Sequence, residues 1–222
     1  MKITAFVPIK LNNERLPGKN VKSFTNGKPL IYYILNSLKQ VPEIDQIYVY
    51  CSDETIQIYL PKGVRFLKRP SYLDLSTTSF NEVLISFANA VDSDYYLLTH
   101  ATAPFLQPET FQNAVAAIKT GQYDSVFTVK KLQEFLWKDN RPLNYHPSSI
   151  PRTQDLPPYY AETCGLYLYS RDLILNQKRR IGHSPYLLEV SEIEAFDINT
   201  PNDFAIADSI FNNFWKGIYC HE

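Results

Sequence analysis

Lys10, Arg15 and Lys19 fall within ten residues, in the segment Pro8-Ile-Lys-Leu-Asn-Asn-Glu-Arg-Leu-Pro-Gly-Lys-Asn20. Three cations this close call for a polyanion, and a triphosphate carries about four negative charges that fixed cations and backbone N–H groups satisfy. Two unit charges ~4 Å apart gain about 1 kcal/mol in bulk water but ~4 kcal/mol at an effective dielectric of ~20, so a partly closed loop draws far more from each cation. A solvated basic loop is the plain alternative. Two features favour the phosphate reading. Leu16-Pro17-Gly18 stiffens and turns the segment, and the segment directly follows the first strand, the phosphate position of doubly wound folds. It is neither a Walker loop nor a GxGxxG fingerprint.

The elements that hold this loop are legible from periodicity. Ile3–Val7 is a short apolar strand stopped by Pro8. Pro29 opens a helix with Leu30, Ile31, Ile34, Leu35 and Leu38 on one face. Ile47–Cys51 is a second strand, and Ser52-Asp53-Glu54 caps a helix over Thr55–Leu60. Val64–Leu67 reads as strand, Phe80 to Val91 as helix, and Tyr95–Thr99 as strand again. Pro108 starts a further helix, Ser125–Val129 and Gly165–Tyr169 are strands, and Phe204, Ala207, Ile210, Phe211 and Phe214 mark a final helix. Alternation of this kind predicts a mostly parallel sheet with right-handed crossovers. Ligands of such sheets sit at the carboxyl ends of the strands. That directs attention to Pro8–Asn20, Ser52-Asp53, His100–Phe105 and the loop after the last strand.

Composition narrows the function classes. The 222 residues fit one domain, 1–222, with an aperiodic, proline-rich excursion at about 130–160. Lys+Arg (22) and Asp+Glu (23) nearly cancel, giving a net charge of -1, which argues against a nucleic-acid partner. Three scattered cysteines, Cys51, Cys164 and Cys220, form neither a disulfide framework nor a zinc site and suit reduced thiols. No apolar stretch approaches ~20 residues and the amino-terminal run is too short for a signal segment. A soluble, cytoplasmic protein with no membrane partner is expected.

Pro8-x-Lys10, eight residues, then Lys19-Asn20, followed by Gly27-Lys28-Pro29-Leu30-Ile31, resembles the opening signature of the CMP-sialic acid synthetases (acylneuraminate cytidylyltransferases). Arg15-Leu16-Pro17-Gly18-Lys19 also resembles the matching stretch of the CMP-3-deoxy-manno-octulosonate synthetases. The resemblance implies an α/β fold of three layers, a mostly parallel doubly wound sheet like that of nucleotide-diphospho-sugar transferases, with a small dimerisation excursion. It implies CTP and an acidic sugar as substrates, a Mg²⁺ (or Mn²⁺) cofactor, and a two-fold homodimer in which the excursion borders the partner's sugar site. In both groups the loop wraps the CTP phosphates and its last lysine contacts the phosphorus under attack. Lys19 inherits that role, with Arg15 and Lys10 as further catalytic cations, and Pro8, Ile9 and Asn20 beside the nucleotide. The family usually has arginine where Lys10 stands, so the charge is kept and the bidentate fork lost.

Four further blocks extend the resemblance over nearly the whole chain. Cys51-Ser52-Asp53 and Arg69-Pro70 match nucleotide-side blocks, implying contacts from Ser52, Asp53 and Arg69. His100-Ala-Thr-Ala-Pro104 matches a Gln-Pro-Thr-Ser-Pro block between nucleotide and sugar, implying sugar contacts from His100 and Thr102. Arg152-x-Gln154-Asp155-Leu156-Pro157 and Gly165-Leu-Tyr167 resemble the acceptor frame, which adds Arg152, Gln154 and Tyr167; an arginine there suits the acceptor's carboxylate. Asp197-Ile-Asn199-Thr200-Pro201 matches Asp-x-Asp-Thr-Pro, whose acids hold the divalent ion, so Asp197 and Asn199 are the metal candidates. Asn199 replaces the second acid, and the Asp that octulosonate enzymes carry near Thr102 is absent. Locally, Thr200-Pro201-Asn202-Asp203 is also a helix start.

The reaction implied is in-line attack of an anomeric hydroxyl on the α-phosphorus of CTP, with pyrophosphate leaving. Two rivals stand beside it. A GT-A glycosyltransferase shares the architecture, but Asp92-Ser93-Asp94 precedes a strand, the wrong end for a metal-binding DxD. A binding-only relative is the second, favoured by Lys10 and Asn199.

Overall fold

The computed structural model describes residues 1–13 and 15–213. Phe214 and Cys220, named above, lie outside them. The elements run β1 (Ile3–Ile9), α1 (Leu30–Lys39), β2 (Gln46–Cys51), β3 (Val64–Lys68), α2 (Phe80–Ala90), β4 (Tyr95–Thr99), α3 (Pro108–Lys119), β5 (Ser125–Leu132), β6 (Trp137–Lys138), β7 (Arg141–Pro142), β8 (Tyr159–Ser170), α4 (Arg171–Leu175), β9 (Pro185–Glu189) and α5 (Pro201–Asn213). Seven strands form one sheet in the order β3-β2-β1-β4-β8-β5-β9. It is parallel throughout except at β8, which runs antiparallel to both β4 and β5.

Alternation along β1 sorts the two faces. Ile3, Ala5, Val7 and Ile9 point to a core closed by α1 and α3, through Ile31, Ile34, Leu35, Phe111 and Val115. Phe6 points the other way, to α2 and α4, and stacks on Phe87 with ring centroids 3.9 Å apart. Both faces are covered, which is why these strands read as near-continuous apolar runs. A third cluster carries α5: Phe204, Ala207 and Phe211 pack on Phe24, Leu30, Phe105 and Leu16.

Several boundaries differ from the sequence reading. β1 continues through Pro8 because pairing with β4 ends at Phe6, so no neighbour on that side needs the missing N–H. Glu54–Tyr59 is a 3-10 helix rather than α; Thr55, Ile56 and Ile58 within it are β-branched, which disfavours α-helix, although Asp53 caps it as expected, accepting from the Thr55 N–H at 2.9 Å. β8 starts at Tyr159, six residues before the expected strand, because its first half pairs with the extension of β5. α4 and β9 were not anticipated: one is five residues long and the other mixes Pro and Glu into its run. β5 and β8 therefore project as a two-stranded arm, tipped by the β6–β7 hairpin, whose turn residues Asp139 and Asn140 both have positive φ as tight hairpins demand. No helix among the described residues is long and apolar enough to cross a membrane.

Candidate functional site

β1 and β4 are parallel neighbours, so the segments leaving their carboxyl ends emerge side by side. Ile198 ties them together. Its carbonyl accepts from Lys19 Nζ at 2.8 Å, and its N–H donates to the Thr102 carbonyl at 2.9 Å. The first loop is itself closed at both ends. Leu16 is buried in the α5 cluster, Gly18 turns with φ 65°, and the buried Asn20 donates through Nδ2 to the Lys10 carbonyl at 3.1 Å. The loop is a built feature rather than a solvated one.

Three adjoining cavities follow. The first, ≈ 300 Å³, is lined by Lys10, Asn13, Arg15, Leu16, Lys19 and Ser76. A second of ≈ 150 Å³ shares Lys10, Asn13 and Lys19 and adds Pro8, Asn20, His100 and Thr102. The third, ≈ 320 Å³, shares His100 and Thr102 and adds Phe80, Cys164, Arg180 and Asp197. A cationic chamber thus leads past Lys19 and His100 into a chamber bearing one acid and one arginine. Burial pulls the Lys19 ammonium below its usual pKa; Asp197 opposes this and Arg15 adds to it. Of its three donors, one is used on Ile198, and among the described residues no other bond is made.

Burial, helped by the nearby Arg180 charge, pushes His100 down to about 4, with Asp197 opposing. The imidazole is therefore neutral across physiological pH. Because the folded pKa lies below the unfolded one, the unfolded chain binds the extra proton, and stability falls as pH drops from about 6.5 toward about 4. We expect His100→Gln to lose part of that acid sensitivity, seen as a flatter thermal midpoint between pH 6.5 and 4. An unchanged pH profile would show that His100 does not titrate this way.

At the far chamber β8 bulges: between the pairs Phe127–Tyr167 and Val129–Glu162, Thr128 alone faces Thr163 through Leu166. Cys164 takes φ 42° there and reaches the cavity, a use of bulges common beside sites. Tyr167, expected at the sugar, is instead fully buried, its hydroxyl donating to Glu162 and its ring lying under Arg180.

Asp197 lines the far chamber, and the Asn199 side-chain nitrogen donates to its Oδ2 at 2.6 Å. Asn199 is thus a partner of Asp197 and turns its amide nitrogen, not its oxygen, toward it. Thr200 and Asp203 close a capping box on α5, so the helix-start reading holds as well.

Other candidates are not brought into these cavities. The Ile9 side chain is core, which leaves only its backbone for a ligand. Asp53 is spent on capping Thr55. Ser52 and Arg69 both bond Asp74, and Arg69 is only 4% exposed. Together they pin the turn that leads to Ser76 in the first chamber. Arg152 is exposed and forked onto Asp155 at 2.7 and 3.0 Å, and Gln154 accepts from Gln133 through its carbonyl, both near the arm. Asn13, Ser76, Phe80, Cys164, Glu162 and Arg180 went unnoticed in sequence, where only the basic triplet Lys178-Arg179-Arg180 hinted at the last. The Asp92-Ser93-Asp94 turn sits where Asp94 Oδ2 accepts from the Lys2 N–H at 2.6 Å, at the amino ends of β1 and β4 and opposite the cavities.

A family model described as cytidylyltransferase matches residues 4–213. N-acylneuraminate cytidylyltransferase A of Danio rerio is 26% identical over 93% of this chain and 50% of its own length. The chain spans about half the length of the first curated relatives it matches. CMP-N,N'-diacetyllegionaminic acid synthase of Legionella pneumophila is 27% identical over 95% of this chain and 96% of its own. Among solved structures, a CMP:2-keto-3-deoxy-manno-octonic acid synthetase complexed with CTP superposes with a TM-score of 0.71 at 15% identity, covering 96% of this chain and 99% of that one, a likeness of fold.

Proposed function

The chain belongs to the cytidylyltransferase family, and on that premise we propose that it transfers CMP from CTP to the anomeric hydroxyl of a 2-keto-3-deoxy sugar acid. The observation that carries this reading is the pair of chambers joined at Lys19 and His100, one cationic and the other holding Asp197 and Arg180. Catalysis of this kind is positioning plus charge stabilisation. Lys10 and Arg15 hold the triphosphate, and Lys19 directs its two unused donors at the phosphoryl group in transfer. The acceptor oxygen bonds to the α-phosphorus as the bond to pyrophosphate breaks, and neutral His100 orients the groups at the junction. Pyrophosphate release that requires both CTP and a sugar acid supports the reading; release with CTP alone, or with ATP or UTP equally, contradicts it.

A divalent ion fits through Asp197. Mg²⁺ is commonly held by one or two carboxylates with phosphates and water; among the described residues no cluster of three or more acidic, histidine or cysteine ligands is formed, so Asp197 would be the one carboxylate and the CTP phosphates would supply the other oxygens. When bound, Mg²⁺ or Mn²⁺ neutralises phosphate charge. Asn199 holds the Asp197 carboxylate in place through its amide nitrogen. Replacing Asn199 by Asp sets two carboxylates against each other without the ion and adds a ligand with it. We expect the thermal midpoint of Asn199→Asp to respond to Mg²⁺ at concentrations on the order of tenfold lower than the parent's. Identical Mg²⁺ titrations would place residue 199 outside the ion's reach.

We further propose a cytoplasmic homodimer joined through the arm. Trp137, Leu143 and Ile150 are 49–67% exposed on it, Tyr145 packs on Phe135 at 4.6 Å and edge-on to Trp137 at 6.3 Å, and aromatic anchors of this kind are enriched at interfaces. Arg152 and Gln154, which miss their own cavities, would border the partner's. Light scattering should give twice the chain mass, and Trp137→Glu with Leu143→Glu should give the monomer; an active parent monomer would refute the dimer.

A further inference from the structure

We propose that Arg180, and not Arg152, receives the carboxylate of the acidic acceptor; the inference rests on the reading of the far chamber as the acceptor site. Arg180 is the one cation among the residues lining that cavity. Its guanidinium lies 3.7 Å above the Tyr167 ring and 5.6 Å from that of Phe80, and one nitrogen donates to Glu162 at 3.0 Å. Glu162 is in turn held by the Tyr167 hydroxyl. A planar guanidinium stacked on one face and tied at one edge is fixed in orientation before any ligand arrives. Its remaining N–H groups make no hydrogen bond to a described residue and form the two-pronged edge that a carboxylate matches.

Arg152 lacks this availability. Its Nε–Nη2 edge is already on Asp155, in a solvent-exposed ion pair away from the cavities of its own chain, and no aromatic ring among the described residues holds its plane.

Position agrees with chemistry. In a 2-keto-3-deoxy acid the carboxylate is bonded to the carbon that bears the attacking hydroxyl. The carboxylate receptor must therefore lie one short step from the transfer point. Arg180 and Lys19 both lie close enough to His100 to depress its pKa, and the chambers they line share His100 and Thr102.

The test compares the parent with Arg180→Met and Arg180→Lys on a sugar acid and on its C1 amide, with thermal midpoints confirming folding. On the acid, Arg180→Met should raise the acceptor KM by roughly 10- to 100-fold, leave the CTP KM within about twofold, and be partly rescued in Arg180→Lys. On the amide, parent and Arg180→Met should be alike, since there is no charge left to lose. An unchanged acceptor KM in folded Arg180→Met, or an equal penalty on acid and amide, overturns the inference while the parent's turnover keeps the proposed function. A parent that turns over no sugar acid overturns both.

Discussion

Lys19→Ala should lower the rate of CMP transfer by about 10²–10³ while leaving the thermal midpoint close to the parent's. On the proposed reading the Lys19 ammonium is aimed at charge developing in the transition state, and deleting one such donor commonly costs this much. The fold survives because the ammonium spends only one bond on the protein, to the Ile198 carbonyl. The loop is held instead by Leu16, Gly18 and Asn20. Lys19→Arg keeps the charge but replaces a compact ammonium with a wider fork, so it should recover only part of the rate. CTP binding itself should weaken much less, because Lys10 and Arg15 remain in the same chamber. Near-normal turnover in Lys19→Ala would remove the loop from the chemistry altogether.

The second large effect is on stability. Arg69 is 4% exposed and paired with Asp74, which also accepts from Ser52; the Arg69 Nε is buried with no partner among the described residues. Asp74→Ala leaves a buried guanidinium without its counter-charge, a change that costs about 3–5 kcal/mol. In a chain of this size that lowers the thermal midpoint by on the order of 10 °C. Arg69→Met with Asp74→Ala should be more stable than Asp74→Ala alone, because the stranded charge goes with the carboxylate. Should Asp74→Ala melt with the parent, the pair contributes nothing and Arg69 is free for another role. Activity would fall with stability in Asp74→Ala, since the pinned turn presents Ser76 to the chamber lined by Lys10, Arg15 and Lys19.

Much of the fold was legible because both sheet faces are covered, so β1, β2 and β4 are short apolar runs and the helices carry clean 3.6-residue stripes. Pro8 misled by one strand end, since a proline stops a strand only where a neighbour needs its N–H. β8 was half hidden: Tyr159–Thr163 is polar and mixed, and becomes strand by pairing with Val129–Leu132 far away in sequence. The cationic chamber is lined largely by one contiguous loop, so Lys10, Arg15 and Lys19 could be grouped from the sequence alone. The far chamber is assembled from α2, β8 and the segment before β9. Phe80, Glu162, Cys164 and Arg180 meet only through the antiparallel insertion of β8 between β4 and β5. No local spacing encodes that meeting. Arg152 stands in a recognisable block, yet its Nε–Nη2 edge is engaged by Asp155 three residues on and it lines none of the three adjoining cavities of its own chain.

The most direct measurement follows the α-phosphate of CTP. With α-labelled CTP, Mg²⁺ and a panel of sialic, legionaminic, pseudaminic and octulosonic acids, label should pass into a sugar conjugate with at least one acid. One pyrophosphate should be released per label transferred, and Lys19→Ala should slow both by the same factor of about 10²–10³. Label that stays in CTP with every acid, or emerges only as free CMP with no sugar conjugate, would contradict the account.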